Sequence, residues 1–442
     1  MTGRRDLETA LRDEVLRSWD RIGRPRRIAA AFSGGADSTA LMYILKSLRD
    51  ETDIYLCALH INHGLRAEAD SEQEHCRLLC ESEGIPFSAV KIDMKGRSEE
   101  EARTLRYAAL DRLAGKHACD RIAAAHHSGD QAELLIMRLM QGSLTGMAGM
   151  REQALLPSGV PSPRYIWRPL LSRSHEELCA YLTEKGILWN EDRSNRDTAY
   201  LRNYIRLEVL PVLAARQSAL SEHLCGIARG IRQILDDQRS MAENFLTVHG
   251  RTGCLCPRID GKAFYDLPLS LRSSVIRLFL EKNGLSPALP ENSLQAVMSL
   301  DIGRSLDIGK AVFFRSGQYL HLTKNDRGPL SDPEQVRTRP FCGDTGDGKR
   351  FQAIPRSLLD GLSIRSRRDG DRLIPFGMKH HRKLQDYLTD RGIPTPFRDL
   401  IPLLCREDKI LWVIGVGPSE ACRITSPEDA ALLEYTGQLP WD

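Results

Sequence analysis

The chain has no apolar run approaching the ~20 residues that a bilayer-spanning helix needs, which excludes a helical integral membrane protein. It has no Cys-x-x-Cys pair. Its eleven cysteines are odd in number and scattered; the close pairs are Cys76/Cys80, a helical spacing with His75 beside it, and Cys254/Cys256. That pattern speaks against a disulfide framework and against a cysteine-held metal cluster, and it leads us to expect reduced thiols in a soluble cytoplasmic protein. Internal repeats and low-complexity tracts are absent. The segment Met1–Asp6 lacks the apolar core of a secretory signal and soon becomes amphipathic, with Leu7, Leu11, Val15 and Trp19 in helical spacing. There is also little net charge, +3 overall, but it is unevenly placed. Between residues 361 and 400 there are nine Lys/Arg against five Asp/Glu, with His380 and His381 in the same window. A concentrated basic end suggests a polyanionic partner.

With 442 residues, the chain is long enough for roughly two to four domains. Short apolar runs at 27–32, 54–61, 87–92 and 121–125 alternate with helical stretches near 38–48, 68–83, 99–116 and 130–140. Such alternation predicts a parallel sheet with helices on both faces, that is, an α/β domain of Rossmann-like form. A Gly/Pro/Ser-rich stretch at 142–164 reads as a mobile loop. Ser174 followed by Glu177 predicts a capping box for a helix over 174–185. The helical pattern at 203–214 contains Pro211, a predicted break. A long amphipathic helix is expected over 220–246, turn formers cluster at 329–348, and short strands follow, one at 410–416. The expected division is 1–215 for the α/β domain, 216–350 for a mostly helical middle domain and 351–442 for a small α+β domain.

Ligands of open parallel sheets sit beyond the carboxyl ends of the strands, and the first run with unusual chemistry falls there. Ser33-Gly34-Gly35-Ala36-Asp37-Ser38 joins the first strand to the next helix. Paired glycines let backbone N–H groups approach an anion, and the helix N-terminus adds partial positive charge. Ser33 and Ser38 add hydroxyl donors, and Asp37 can hold a cation such as Mg²⁺. The common P-loop ends in Gly-Lys-Ser/Thr, and no lysine is present here. An ordinary Gly-Gly turn is the rival for a bare glycine pair; the whole hexapeptide at a strand-to-helix junction disfavours it.

Three further segments carry chemistry. His126, His127, Asp130 and Glu133 lie where the fourth strand gives way to a helix. Asp130 and Glu133 are three apart and share a helical face, suited to an ammonium group or to a magnesium ion shared with Asp37. Acids favoured by the helix dipole are the plain rival, but an apolar strand seldom finishes in paired imidazoles without a ligand. The second segment ends the second strand: His60 suits an adenine or ribose, while His63 and Arg66 suit phosphate, against a simple turn at Gly64. On the helix over 99–116, Arg103 and Arg106 share a face fit for phosphate. A polar stretch over 191–206 alternates arginines with acids and amides. There Asp192 and Asn195 suit a base or a small substrate, and Arg202 and Arg206 suit phosphate, against a structural ion-pair network.

The hexapeptide at Ser33–Ser38 resembles the PP-loop of the ATP pyrophosphatases, which cut ATP between the α and β phosphates and move AMP onto an acceptor. Taken together, the chain resembles the tRNA(Ile)-lysidine synthetase family. The likeness rests on that hexapeptide, on Asn62–Arg66, on Ala125–Glu133 and on the spacing of Gly142, Gly146 and Gly149. It extends to Arg168–Leu171, Glu191–Asn203, Gly370–Met378, Lys383–Pro394 and Leu411–Glu420. The resemblance implies that the wobble cytidine of a CAU-anticodon tRNA(Ile) is adenylated at its C2 oxygen by ATP with Mg²⁺, and that the side-chain amine of L-lysine then displaces AMP. The residues suit that chemistry: we expect Ser33–Ser38 to hold ATP and pyrophosphate, Asp130 and Glu133 to hold the lysine amine, and His126 or His127 to accept the proton. Contacts with tRNA, to base or phosphate, are expected from Arg103, Arg106, Asp192, Asn195, Arg202 and Arg206 and, at the basic end, from Arg368, Arg372, Lys379 and Lys383. Expected partners are tRNA(Ile) and L-lysine, with no membrane and with homodimerisation left open. A PP-loop tRNA thiolase is the nearest alternative, disfavoured by the missing Cys-x-x-Cys. A noncatalytic tRNA-binding protein is the other, disfavoured by Asp37, His127, Asp130 and Glu133 occurring together.

Overall fold

Short buried runs and amphipathic ones alternate from the first turn of the chain onward. Their order is α1 (Leu7–Arg21), β1 (Arg27–Ala31), α2 (Ala36–Glu51), β2 (Tyr55–Asn62), α3 (Ala69–Ser82), β3 (Phe87–Lys91) and α4 (Glu99–Lys116). Then come β4 (Arg121–Ala123), α5 (Ser128–Met140), β5 (Gln153–Leu155), β6 (Tyr165–Trp167) and α6 (His175–Glu184). The computed structural model describes residues 6–62, 69–93, 98–156, 164–190, 201–252, 255–325 and 333–441. These fall into two units, Met1–Leu235 and Asp236–Asp442.

In the first unit six strands form one sheet in the order β3-β2-β1-β4-β6-β5. All pairings are parallel except β5 with β6. The period-two alternation of a strand separates two cores. Ile28, Ala30 and Phe32 face Leu11, Val15, Leu41, Ile44 and Leu178 on one side. Ala29, Cys57, Leu59 and Ile122 face Leu110 and Leu113 on the other. Helices therefore cover both faces, as a parallel sheet requires. The chain runs outward from β1 through β2 to β3, then returns to β4 on the opposite side of β1. The order reverses between β1 and β4, and a crevice opens beyond their carboxyl ends.

The predicted capping box is present: Ser174 Oγ accepts from Glu177 N, and the Glu177 carboxylate accepts from Ser174 N. The glycine-rich stretch is more regular than the predicted loop. It holds a 3-10 turn at Thr145–Ala148 and then β5. The Gln131 side chain accepts from Met150 N at 2.7 Å and donates to Met150 O at 3.1 Å, so a side chain of α5 holds the backbone just ahead of β5. Residues 157–163 lie outside the described residues. Pro211 does not break its helix. The chain runs from α7 (Leu201–Tyr204) through a π turn at Ile205–Val209 into α8 (Leu210–Ala214), with Pro211 in the first turn of α8. The wide turn interrupts the backbone ladder just where proline has no N–H to contribute. The predicted long helix is α9 (Leu220–His249).

In the second unit, β7 (Gly250–Arg251), β8 (Arg258–Asp260), β9 (Ser305–Asp307), β10 (Ala311–Arg315) and β11 (Tyr319–Lys324) form an antiparallel sheet in the order β7-β8-β11-β10-β9. It packs on α10 (Gly261–Asp266), α11 (Leu269–Lys282) and α12 (Glu291–Met298) through Phe264, Val275, Phe279, Leu294, Phe313 and Leu320. This sheet adds to the helices expected in that region. The last part is a set of small antiparallel sheets. β12 (Val336–Arg339) and β13 (Phe351–Pro355) flank the final strand, β20 (Ala430–Tyr435). β14 (Leu362–Arg365), β17 (Leu403–Arg406), β18 (Lys409–Val413) and β19 (Gly417–Pro418) make a second sheet, and β15 (Arg372–Leu373) pairs with β16 (Arg382–Lys383) as a hairpin. Short helices α13 (Leu384–Asp390) and α14 (Thr395–Arg398) follow the hairpin. Among the described residues, no helix is long and apolar enough to cross a membrane.

Candidate active site

At the end of β1 the backbone turns at Gly34, where φ is +85°. L side chains rarely adopt this conformation, and a Cβ there would stand 2.8 Å from Cys76 Sγ and 3.3 Å from Asn190 Nδ2. Asn190 N donates to Gly34 O at 2.9 Å, which fixes the loop from its far side. Gly35 is the N-cap of α2. Ser38 Oγ accepts from Ser33 N at 3.2 Å, donates to Gly35 O at 3.0 Å and lies 3.0 Å from Ser33 Oγ. The two flanking serines thus close the loop on itself, and Ala36 opens the helix behind it. Unpaired N–H groups of a helix's first turn point out of such a loop and suit an anion.

Asp37 stands in that first turn, half-buried. Its Oδ1 takes a hydrogen bond from His175 Nδ1 at 2.7 Å, and its Oδ2 lies 3.7 Å from His127 Nε2. The bond to Asp37, against some burial, holds the His175 imidazole above its ordinary pKa. The other nitrogen of that ring, Nε2, lies 3.4 Å from Cys179 Sγ one helical turn on. Asp37, His127 and His175 bring one potential ligand atom each within 4.8 Å of one another. His175 was not among the residues expected from sequence. It is 138 positions from Asp37, and its only local signal is a polar residue directly after the N-cap Ser174.

Beyond β4, His127 caps α5. Its Nδ1 accepts from Gly129 N at 3.0 Å, and its own N–H donates to Asp130 Oδ2 at 3.0 Å. Asp130 and Glu133 are both buried and do share a helical face. Arg202 Nη2 donates to Asp130 Oδ1 at 2.8 Å and Arg202 Nε to Glu133 Oε2 at 2.7 Å. Arg206 Nε donates to Glu133 Oε1 at 2.5 Å, and its Nη2 reaches Glu133 Oε2 at 3.1 Å. So Arg202 and Arg206, assigned to phosphate in the sequence reading, meet the carboxylate pair: two cations balance two anions. Burial opposes ionisation of Asp130, but His127, Arg202 and a backbone N–H outweigh it and hold the carboxyl below its usual range.

His126 is a different kind of group. Burial, with Arg168, Arg202 and Arg103 adding to it and Asp130 opposing, pushes its imidazole down to about 3. Its Nδ1 is buried with no hydrogen-bond partner among the described residues. His60 is buried beneath the glycine loop, with Nδ1 2.9 Å from Phe32 O, so it braces the end of β1. Arg103 lies on α4 with its guanidinium 4.8 Å from the centroid of the Tyr107 ring, and Arg106 is half-buried one turn along. In the second unit Arg368, Arg372, Lys379 and Lys383 are exposed, and Arg372 pairs directly across from Lys383 in the β15–β16 hairpin. Beside them are the half-exposed Phe376 and Met378. His63, Arg66, Asp192 and Asn195 lie outside the described residues.

Residues 7–213 match the PP-loop domain family, which places the chain in the class of ATP-using PP-loop proteins and agrees with a glycine loop at the switch point of a parallel sheet. Residues 362–435 match a second family, the TilS substrate C-terminal domain. The tRNA(Ile)-lysidine synthase of Methylococcus capsulatus is 31% identical over 415 residues, covering 87% of this chain and 90% of that one. That of Symbiobacterium thermophilum is 31% identical over 450 residues, 88% and 89% of the two chains. That of Persephonella marina is 29% identical over 444 residues, 91% and 93%. The chain belongs to the tRNA(Ile)-lysidine synthase family.

Proposed function

We propose that the chain is a carbon–nitrogen ligase that joins L-lysine to C2 of the wobble cytidine in CAU-anticodon tRNA(Ile). The observation that carries this reading is the placement of a buried carboxylate pair, Asp130 and Glu133, across one crevice from an anion-binding glycine loop. One side suits phosphates and the other an ammonium group, which are the two charged substrates of such a ligation.

The cytidine O2 attacks the α-phosphorus of ATP, the bond to the bridging oxygen breaks, and pyrophosphate leaves with that electron pair. Gly34, Gly35 and the first-turn N–H groups of α2 hold the departing phosphates, with Ser33 and Ser38 released from each other to donate. Oxygen as a leaving group from C2 is poor; the adenylate makes it a good one. The lysine side-chain amine, in its neutral form, then attacks C2; the C2–O bond breaks with its electron pair leaving on AMP, and the proton shed by the new C–N bond passes to the departing phosphate or to water. Asp130 and Glu133 receive the substrate's ammonium group, which takes the place of guanidinium charge from Arg202 and Arg206. Those arginines stand within the same pocket for the substrate's carboxylate.

Magnesium fits this site through Asp37. Mg²⁺ prefers oxygen ligands and is usually held by one or two carboxylates together with substrate phosphates, and Oδ2 of Asp37 is the oxygen that His175 does not take. When bound there, it offsets the charge of the leaving pyrophosphate. The adjoining imidazoles are poorer ligands for it than oxygen.

Binding of tRNA falls to Arg103 and Arg106 in the 1–215 adenylating domain and to Arg368, Arg372, Lys379 and Lys383 in the 351–442 domain, with 216–350 between. The exposed cations of the second set are suited to phosphate, and Phe376 and Met378 offer apolar surface beside them. The test is mass spectrometry of tRNA nucleosides after incubation with ATP, Mg²⁺ and lysine. Lysidine is expected only when all three are supplied. Unmodified cytidine under full supply refutes the assignment, and lysine-independent turnover to a thiolated base replaces it with the thiolase reading.

A further inference from the structure

Among the described residues Arg168 is the one arginine buried outright, 5% exposed. It follows β6 directly, and its backbone N–H donates to Glu152 O at 2.7 Å. β6 runs beside β4, with Ala123 paired to Trp167, so Arg168 and His126 stand at the carboxyl ends of neighbouring strands. A buried guanidinium is costly unless an anion answers it. Arg164, four positions earlier, has Asp111 at 2.6 Å. Arg168 has no such carboxylate among the described residues. Its Nη1 donates to Arg151 O at 2.9 Å, and its side-chain partner is the neutral hydroxyl of Tyr107. Its Nε is buried with no hydrogen-bond partner among the described residues, and so is Nδ1 of His126. The charge that reaches both groups is another cation, Arg103 of α4, whose guanidinium lies 4.8 Å from the centroid of the Tyr107 ring.

A guanidinium takes a carboxylate or phosphate through two parallel bonds along one edge. On Arg168 the edge that includes Nε is unfilled, and two cations act on one another with no anion between them. Buried polar groups left unpaired in this way call for a ligand or an ion. Of the three charged substrates, ATP has the glycine loop, and the amino acid has the pocket of Asp130, Glu133, Arg202 and Arg206. The polynucleotide backbone has exposed and half-buried cations alone. A cytidine whose O2 reaches the α-phosphorus carries its own backbone phosphate to the rim of the same crevice. Resting on the ligation reading above, we propose that Arg168, together with the exposed Arg103, holds one backbone phosphate of the tRNA beside the reacting cytidine. Arg151 O and Tyr107 already fix the guanidinium, so little side-chain freedom remains to be lost when the oxyanion arrives.

Two measurements on the full-length chain test this. The first is filter binding of tRNA across a salt series for the parent, Arg168→Gln and Arg168→Lys, beside the concentrations of ATP and lysine that give half-maximal turnover. Arg168→Gln should bind tRNA at least ~10-fold more weakly, as loss of a hydrogen bond to a charged group does. Its slope of log affinity against log salt should shrink by about 0.7, the share of one single-strand phosphate contact. Arg168→Lys keeps the charge and should restore the slope, while the ATP and lysine requirements stay at parental values. A parental slope in Arg168→Gln overturns the proposal. So does weaker use of all three substrates together with a lower melting temperature, the mark of a structural brace. A raised lysine requirement with parental tRNA binding also overturns it and makes the anion the lysine carboxylate. The second measurement needs no variant: crystals of the parent are soaked in sodium selenate, and the selenium is located by its anomalous scattering. Selenate is expected at the glycine loop and at Arg168 Nε; selenate at the glycine loop alone overturns the proposal. If the parent forms no lysidine, a smaller slope in Arg168→Gln keeps the phosphate contact while the ligation reading falls. Lysidine formed by the parent with a parental slope in Arg168→Gln does the reverse.

Discussion

Arg202 Nε donates to Glu133 Oε2 at 2.7 Å, joining α7 to α5 across 69 positions of sequence. The glutamate side chain is only 2% exposed, and a buried carboxylate is tolerated when it is paired. The same pairing makes Glu133 a wall of the pocket assigned to the lysine amine. In Glu133→Gln the shape is kept and a negative charge is lost, leaving Arg202 and Arg206 with one carboxylate between them. The concentration of lysine needed for half-maximal lysidine formation should rise at least ~10-fold, since hydrogen bonds to charged groups contribute about 1.5–3 kcal/mol. Lysine-free pyrophosphate release should stay near the parental rate. A parallel fall in both activities would remove Glu133 from the amine pocket.

The two loop glycines should respond differently to alanine. Gly34 has φ +85° and a Cβ would press on Cys76 Sγ at 2.8 Å, so Gly34→Ala combines a left-handed backbone penalty of about 1–2 kcal/mol with a steric clash. A lower melting temperature without ligand is expected. Gly35 has ordinary φ, and its Cβ would meet only Ser33 Oγ at 3.6 Å and Asn190 O at 4.0 Å. Gly35→Ala should melt like the parent yet bind ATP more weakly, because the methyl group stands where phosphate approaches. Differential scanning calorimetry with and without ATP separates the two effects.

Asp371, just ahead of β15, ties the chain there back to β14. Its carboxylate takes both Arg365 Nη1 and Nη2 at 2.8 Å and the Arg368 N–H at 2.8 Å. Burial alone would raise this carboxyl, but Arg365 and the Arg368 amide outweigh it and hold it below the usual range. A folded pKa below the unfolded value contributes stability that is present above the unfolded value, about 3.9, and is lost as pH falls through the folded value. The melting-temperature gap between the parent and Asp371→Asn should therefore be full at neutral pH and close as pH drops below ~4. A gap that stays constant into acid would show that the charge contributes nothing.

Arg372 and Lys383 stand opposite each other on the β15–β16 hairpin, like charges that a two-stranded ribbon would avoid without a polyanion to meet them. Charge reversal of both to Glu should weaken tRNA binding and flatten its salt dependence, since each phosphate contact adds roughly −0.9 to the slope of log affinity against log salt for a duplex. Filter binding across a salt series gives the slope; an unchanged slope would place the tRNA elsewhere.

Much of the crevice was legible before any coordinates. Hydrophobic periodicity outlined the first four strands and the helices between them, and the turn at Gly34 followed from paired glycines at a strand-to-helix junction. Ser174 with Glu177 announced its capping box because a cap spans only four residues. The antiparallel sheet of β7–β11 was not visible, since its strands are short and lie between helices. β5 was hidden within a glycine-rich stretch because it is only three residues long and is defined by its antiparallel pairing with β6.

Sequence alone determined the chemistry available at each strand end: a glycine turn flanked by serines and Asp37 at Ser33–Ser38, and imidazoles with carboxylates at His126–Glu133. These are local properties of backbone conformation and side-chain type. Only the tertiary structure decided their partners. It set His175 on Asp37, and Arg202 and Arg206 on Asp130 and Glu133. Charge pairing acts through space, and residues 69 to 138 positions apart meet there only because reversal of strand order beside β1 brings their elements to one crevice.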